Sequence, residues 1–378
     1  MTPRQIAPIV RVLVLDASAQ RRQRLVRLLE GDASLQVVDA VAQVDQALAA
    51  AARRQADVIL IGQGAAPAEA VASTRTIMQS RATPVVVVTA ASSPVEARQA
   101  FELMEAGALA VVRDPGPASL AQHPAALAGL RETVRTMAEV KVVRRWASAA
   151  AHSGPPAAPS GTAPARRATA HPPASAPAVR LEPVPPRGAR GHVELVAIGA
   201  STGGPVALKE LLCALPASFP APIVIVQHMA DGFLPGLAQW LSASCRLPTE
   251  VAGPDTVLQP GRAYLAPDGP HMKVGAGLEL GFDAGPPVHG HRPAVSVLLA
   301  SVAEHLGPHA IGILLTGMGK DGAAELKRMK EAGAITIAQD EASSVVHGMP
   351  GEAIRCGACT YVMSPQEIGT ALPALAQR

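Results

Sequence analysis

The chain has 378 residues, 48% hydrophobic and 2% aromatic, and at about 100–200 residues per domain this length points to two domains plus connecting material. A formal charge of +3, with charged residues at 17%, excludes a polybasic nucleic-acid binder and an acidic disordered tail. No apolar run reaches the ~18 residues of a membrane span and Met1–Val10 lacks the layout of a signal peptide, so a soluble, cytoplasmic protein without direct membrane insertion is expected.

In chain order, the run VRVLVLD ends at Asp16, and the segment to Glu30 carries Leu25, Leu28 and Leu29 at helical spacing. Further strands are predicted at Gln36–Val41, Asp57–Ile61, Pro84–Thr89 and Ala108–Val112, with amphipathic stretches between them and a last helix over about Ser119–Trp146. Five repeats of strand then helix are the pattern of a doubly wound parallel sheet. From Ala147 to Gly191 the composition turns to Ala, Pro, Ser, Gly and Arg with no periodicity that could bury a face, which is the composition of a linker. As a flexible coil of about 45 residues it would span on the order of 35–40 Å. Strand and helix signals then resume: Val193–Gly199, Gly203–Leu215, Ala221–Gln227 and Gly232–Ala243. Short runs over Pro248–Gly281 suggest a small antiparallel insertion. Helix Ala294–Leu306, strand His309–Leu315, helix Asp321–Ala332, strand Ala334–Ala338 and a final strand and helix complete the chain. The expected division is 1–146, a linker over 147–191, and 192–378, with both domains α/β.

Cys213, Cys245, Cys356 and Cys359 are too few and too scattered for a disulfide framework, and a reducing compartment fits them. Cys356-Gly-Ala-Cys359 has the spacing of a thiol-redox or half zinc site, but structural zinc takes four ligands and no second close pair exists, so the pair is read as small residues near a late turn with no metal expected.

Polar residues fall at the carboxyl ends of the second domain's strands, where open α/β sheets carry their sites. Ser201, in Gly199-Ala200-Ser201-Thr202-Gly203-Gly204-Pro205, follows the first strand. The string alone admits a nucleophile, an N-cap or a phosphate-cradling loop. His228 follows the next strand and could take the proton from Ser201, which is otherwise a weak nucleophile. Asp321, in Thr316-Gly317-Met318-Gly319-Lys320-Asp321-Gly322, could hold the imidazole as the third member of a hydrolytic triad. Gly317 and Gly319 leave the backbone around Met318 open as an oxyanion donor, with Thr202 beside Ser201 as a second candidate. A dinucleotide-binding reading of Gly199–Gly204 fails for want of an acidic residue where Gln227-His228 stands.

These strings, with His291-Arg292-Pro293 and Gln339-Asp340-Glu341-Ala342-Ser343-Ser344-Val345-Val346-His347-Gly348-Met349-Pro350, occur in one order over nearly the whole second domain. That domain resembles the catalytic domain of the chemotaxis protein-glutamate methylesterases, which also deamidate receptor glutamines. The resemblance implies a Ser201–His228–Asp321 triad, an oxyanion site near Met318 and Gly319, and His291 and Arg292 in the substrate cleft. It implies no cofactor, methylated chemoreceptors as substrates and a chemosensory kinase array as a further partner. Two departures stand out: the family usually has Asp where this chain has Ser296 and Phe where it has His347.

The first domain resembles the flavodoxin-type phosphoacceptor receivers that precede this esterase. Such a receiver needs an acidic pair, an acceptor Asp, a Ser or Thr and a Lys at successive strand ends. Here those positions hold Asp16-Ala17, Gly62, Thr89 and Asp114. Without clustered carboxylates neither Mg²⁺ nor a phosphoryl group has a seat, so the expectation is a pseudo-receiver that is not phosphorylated. In the family, the resemblance further implies, an unphosphorylated receiver covers the active-site face. The long tether here leads instead to the expectation of a largely uncovered catalytic domain. The competing function is a catalytically idle chemosensory scaffold; an intact triad argues against it.

Overall fold

The computed structural model describes residues 9–62, 67–81, 83–89, 94–116, 124–140 and 192–377. The linker expected at 147–191 lies outside the described residues, as do both ends of the helix expected over Ser119–Trp146.

The first half runs β1 (Val10–Leu15), α1 (Ala19–Glu30), β2 (Leu35–Val41), α2 (Val44–Arg54), β3 (Val58–Gly62), α3 (Pro67–Arg81), β4 (Val85–Thr89), α4 (Pro94–Glu105), β5 (Ala110–Arg113) and α5 (Pro124–Ala138). The strands form one parallel sheet in the order β2-β1-β3-β4-β5. VILIG and VVVVT, in β3 and β4, are apolar almost without interruption because helices cover both faces of the sheet, and every residue of both strands is buried. Ser18 caps α1 by accepting from the Arg21 N–H.

The second half runs β6 (Leu195–Ala200), α6 (Gly204–Cys213), β7 (Ile223–Gln227), α7 (Leu234–Ser244), β8 (Thr249–Val251), β9 (Ala263–Leu265), β10 (His271–Val274), β11 (Leu280–Asp283), α8 (Val295–His305), β12 (Ala310–Leu314), α9 (Ala323–Glu331), β13 (Ile335–Gln339), α10 (Met349–Arg355), β14 (Tyr361–Met363) and α11 (Pro365–Ala376). Its seven-stranded sheet has the order β14-β13-β12-β6-β7-β9-β8. The chain builds outward from β6 through β7 on one side and from β12 through β13 on the other. The switch point therefore lies between β6 and β12, and that is where a ligand crevice opens in such a sheet.

Two expectations fail here. The stretch 248–281 is not an antiparallel insertion as a whole: β8 and β9 pair in parallel and extend the main sheet, and only β10 and β11 form an antiparallel pair. Three-residue strands carry too little alternation to show their direction. Cys213 and Cys245, 32 residues apart, form a disulfide between the last residue of α6 and the residue that caps α7. Both helices flank β7 and their C-termini converge, a proximity that only the fold creates.

The two halves also meet. Phe101 of α4 stacks on Trp240 of α7 with ring centroids 5.4 Å apart, Lys209 of α6 sits 4.9 Å over the same indole, and Lys209 pairs with Glu105. Phe101 and Met104 belong to the same buried cluster as Leu208, Leu237 and Leu241. The expectation of an uncovered catalytic domain is thereby corrected: tether length sets a local concentration, but an aromatic seat with its own ion pair decides whether the face is covered.

Candidate active site

Ser201 is the first residue beyond β6. Its N–H donates to the Thr316 carbonyl at 3.0 Å, and its own carbonyl accepts from Gln227 Nε2 and Gly204 N–H, both at 2.8 Å. Small residues permit this density. A Cβ on Gly204 would lie 2.0 Å from Gln227 Oε1, and one on Gly317 would lie 2.6 Å from the Ser201 Cβ. The loop after β12 comes up against Ser201 because Gly317 carries no side chain at the crossing.

His228 follows β7, its N–H donating to the Ala200 carbonyl at 2.9 Å. Its Nε2 lies 3.0 Å from Asp321 Oδ2, with the His228 and Asp321 side chains 6% and 2% exposed. The ring's other nitrogen, Nδ1, is buried and has no hydrogen-bond partner among the described residues. Nε2 is within ion-pair distance of the carboxylate without meeting hydrogen-bond geometry. Ser201, Thr202, His228 and His291 line one cavity of about 890 Å³, which also takes in Phe101, Arg113 and Asp114 of the first half.

Asp321 is gripped from a third direction. The N–H groups of Val295 and Ser296, at the start of α8, donate to its Oδ2 and Oδ1 at 2.8 and 2.9 Å, and the Ser296 hydroxyl donates to Oδ1. Burial works to raise its pKa, but His228, the Ser296 hydroxyl and the Ser296 N–H together hold it down to about 2. The carboxylate is thus ionised at any ordinary pH.

The remaining candidates divide. Among the described residues the N–H groups of Thr202 and Met318 meet no acceptor, and the Met318 side chain is half exposed. Gly319 has φ +81°, which bends the loop away after Met318. The His291 ring stacks on His228, centroids 3.8 Å apart and planes 8° from parallel; burial and then the neighbouring His228 push its pKa down to about 4. Arg292 does not join them: its guanidinium donates to the carbonyls of Ala284 and Gly285 at 3.2 Å and does not line the cavity. Sequence reasoning about the site passed over Thr316 and Gln339. Gln339 Oε1 accepts from Thr316 N–H at 2.6 Å, and Thr316 Oγ1 donates to the Thr202 carbonyl at 2.9 Å, fixing the loop beside Ser201. Both stand at strand ends in the motif strings, which is the signal that could have found them. Cys356 and Cys359 remain free thiols packed at the edge of a core cluster, and burial pushes Cys359 up to about 12.

At the corresponding strand ends of the first half, Asp16 is buried and its carboxylate is bound by Arg21 through Nε at 2.5 Å and Nη2 at 2.9 Å, with the Ser18 N–H at 2.8 Å. Ala17 adds no second acid. A Cβ at Gly62 would stand 1.8 Å from Asp16 Oδ2. Thr89 is buried at the end of β4 and its carbonyl accepts from the Asp114 N–H at 2.7 Å, while the Asp114 carboxylate pairs with Arg24.

A family profile described as CheB methylesterase matches residues 196–372. A protein-glutamate methylesterase/protein-glutamine glutaminase of Geobacter metallireducens is 40% identical over 371 residues, 97% of this chain and 99% of the relative. One of Nitrosospira multiformis is 40% identical over 367 residues, 97% of each chain. Among solved structures, the CheB methylesterase catalytic domain of Thermotoga maritima is 37% identical, with a TM-score of 0.47, covering 48% of this chain and 98% of its own.

Proposed function

The chain belongs to the protein-glutamate methylesterase/protein-glutamine glutaminase family, and from that premise we propose that it hydrolyses glutamate methyl esters on chemoreceptor cytoplasmic regions with Ser201, His228 and Asp321 as its triad. Ser201 Oγ attacks the ester carbonyl while His228 Nδ1, the ring nitrogen not facing Asp321, takes the hydroxyl proton. The N–H groups of Thr202 and Met318 receive the oxyanion. His228 then returns the proton to the departing methoxide, and methanol leaves. Water attacks the acyl-enzyme by the same route in reverse and releases the glutamate carboxylate. With glutamine as substrate the leaving group is ammonia and the second half is unchanged. Asp321, ionised and turned to Nε2, fixes the ring and balances its charge.

The observation that carries this reading is the contact of His228 with a buried carboxylate that itself takes three donors from the start of α8. An idle scaffold has no use for such an arrangement. Methanol release from a methylated receptor fragment tests it: Ser201→Ala is expected to leave no more than the residual binding and oxyanion effect, about 10³–10⁴ over water. Release at the parent rate would overturn the assignment.

The reading extends to regulation. The first domain is a pseudo-receiver whose one remaining acid is neutralised by Arg21, and it covers the cavity through Phe101 and Glu105. Uncovering of the site therefore does not depend on phosphorylation.

A further inference from the structure

We propose that Ser296 is a positioning residue for the reaction above, on which this inference rests: its hydroxyl fixes the triad carboxylate and sets how strongly that carboxylate holds the His228 imidazolium. Ser296 lies in the first turn of α8, is 4% exposed and does not line the cavity that Ser201 and His228 share. Its Oγ accepts from the Gly322 N–H at 2.9 Å. That bond occupies one lone pair of the hydroxyl and leaves its proton free to go to Asp321 Oδ1. Residue 296 thus supplies both donors to Oδ1, one from the main chain and one from the side chain. Oδ2 takes the Val295 N–H and is left open on the side of His228. The carboxylate is held at one oxygen and offered at the other.

The segment that carries Ser296 is itself pinned. The Ala294 N–H donates to His271 Nδ1 at 3.1 Å, so Nδ1 holds a lone pair, and Nε2 must carry the proton that reaches the Pro286 carbonyl at 3.0 Å. His271 is buried on β10, next to α8. Five residues before Ser296, His291 lies flat on the His228 ring. One short stretch of chain therefore locates two of the three triad groups without contributing a triad atom.

Removing the hydroxyl leaves Oδ1 with one donor and the buried Gly322 N–H with no acceptor. A carboxylate whose charge is less well satisfied draws the imidazolium more strongly, and with Oδ1 held less firmly the ring is less well placed. With full-length protein and a methylated receptor fragment, Ser296→Ala is expected to lower kcat about tenfold with KM within about twofold. The acid limb of the kcat/KM profile should move to higher pH. A merely structural role would lower the melting temperature and leave that limb in place. In an Asp321→Asn background, Ser296→Ala should have no further effect on kcat, because the group it acts through is gone. If Asp321→Asn is inactive and Ser296→Ala keeps the parent kcat and acid limb, this inference falls and the triad stands. If Asp321→Asn itself keeps the parent rate, the triad falls with it.

Discussion

Asp16 and Asp321 occupy like positions: each follows a strand of a doubly wound parallel sheet, each is 2% exposed, and each is surrounded by donors. What differs is which donors. Asp16 faces a guanidinium that covers both of its oxygens, a closed and fully compensated pair. Asp321 is held by neutral N–H groups and a hydroxyl, which satisfy the carboxylate while leaving its charge in place for a neighbouring imidazole. The same residue type in the same kind of sheet is closed off or left facing an imidazole according to whether its partners bring a full positive charge. The acid alone does not identify a site; its saturation does.

The sharpest way to break this comparison is to neutralise each acid in turn. Asp321→Asn should cost about 10³–10⁴ in kcat for methanol release, because the imidazole loses its tautomer and its counter-charge. Asp16→Asn should leave the chemical step untouched and lower stability by about 3 kcal/mol, the cost of stranding a partly buried guanidinium, measurable by urea titration. Comparable losses of kcat in the two variants would refute the distinction. Next comes the coupling of the regions. Phe101→Ala removes the ring stacked on Trp240 and should weaken docking by about 2 kcal/mol, raising basal esterase rate several-fold. An unchanged rate in that variant would mean that the covered geometry does not limit turnover.

Smaller effects test the closed site from the other side. Small phosphodonors with Mg²⁺ should leave no label on the parent protein, and none on Gly62→Asp, where the new side chain meets Asp16 and Arg21 already fills the acid's coordination. Acid-stable absence of label is uninformative for an acyl phosphate, so the readout is intact mass at neutral pH. A separate test is stability against pH. His291 titrates near 4 in the fold against an ordinary 6.5, so the unfolded chain binds more protons between these values and stability falls as pH drops through that window. Asp321 adds a second loss between 3.8 and about 2. Replacing His291 with Phe should flatten the upper window and leave the lower one.

Much of the architecture was legible in the sequence because the central strands are continuous apolar runs bounded by helical periodicity. IVIVQ and AIGIL could be placed as buried strands, and Ser201, His228 and Asp321 fell at strand ends by inspection. What stayed hidden has a common cause, which is that it depends on contacts between distant segments. The hold of α8 on Asp321 joins residues 25 and 26 apart, Arg24 reaches Asp114 across 90 residues, and the seat for Phe101 lies on a helix more than a hundred positions away. Arg292 was misplaced for the same reason. Its neighbour His291 enters the cavity, but the guanidinium is drawn off by the carbonyls of Ala284 and Gly285.

The 1.8 Å between a would-be Cβ at position 62 and the Asp16 carboxylate bears on what it would take to build a phosphoacceptor in the first domain. A carboxylate placed at 62 would meet the acid it needs as a neighbour, and it would find that neighbour already occupied by Arg21. Building a phosphoacceptor site here thus takes more than the single substitution at 62. If the first domain is the pseudo-receiver proposed above, the coupling of positions 16, 21 and 62 makes any route to phosphorylation-driven sensing a multi-step change, with the Arg21 contact the one to be released.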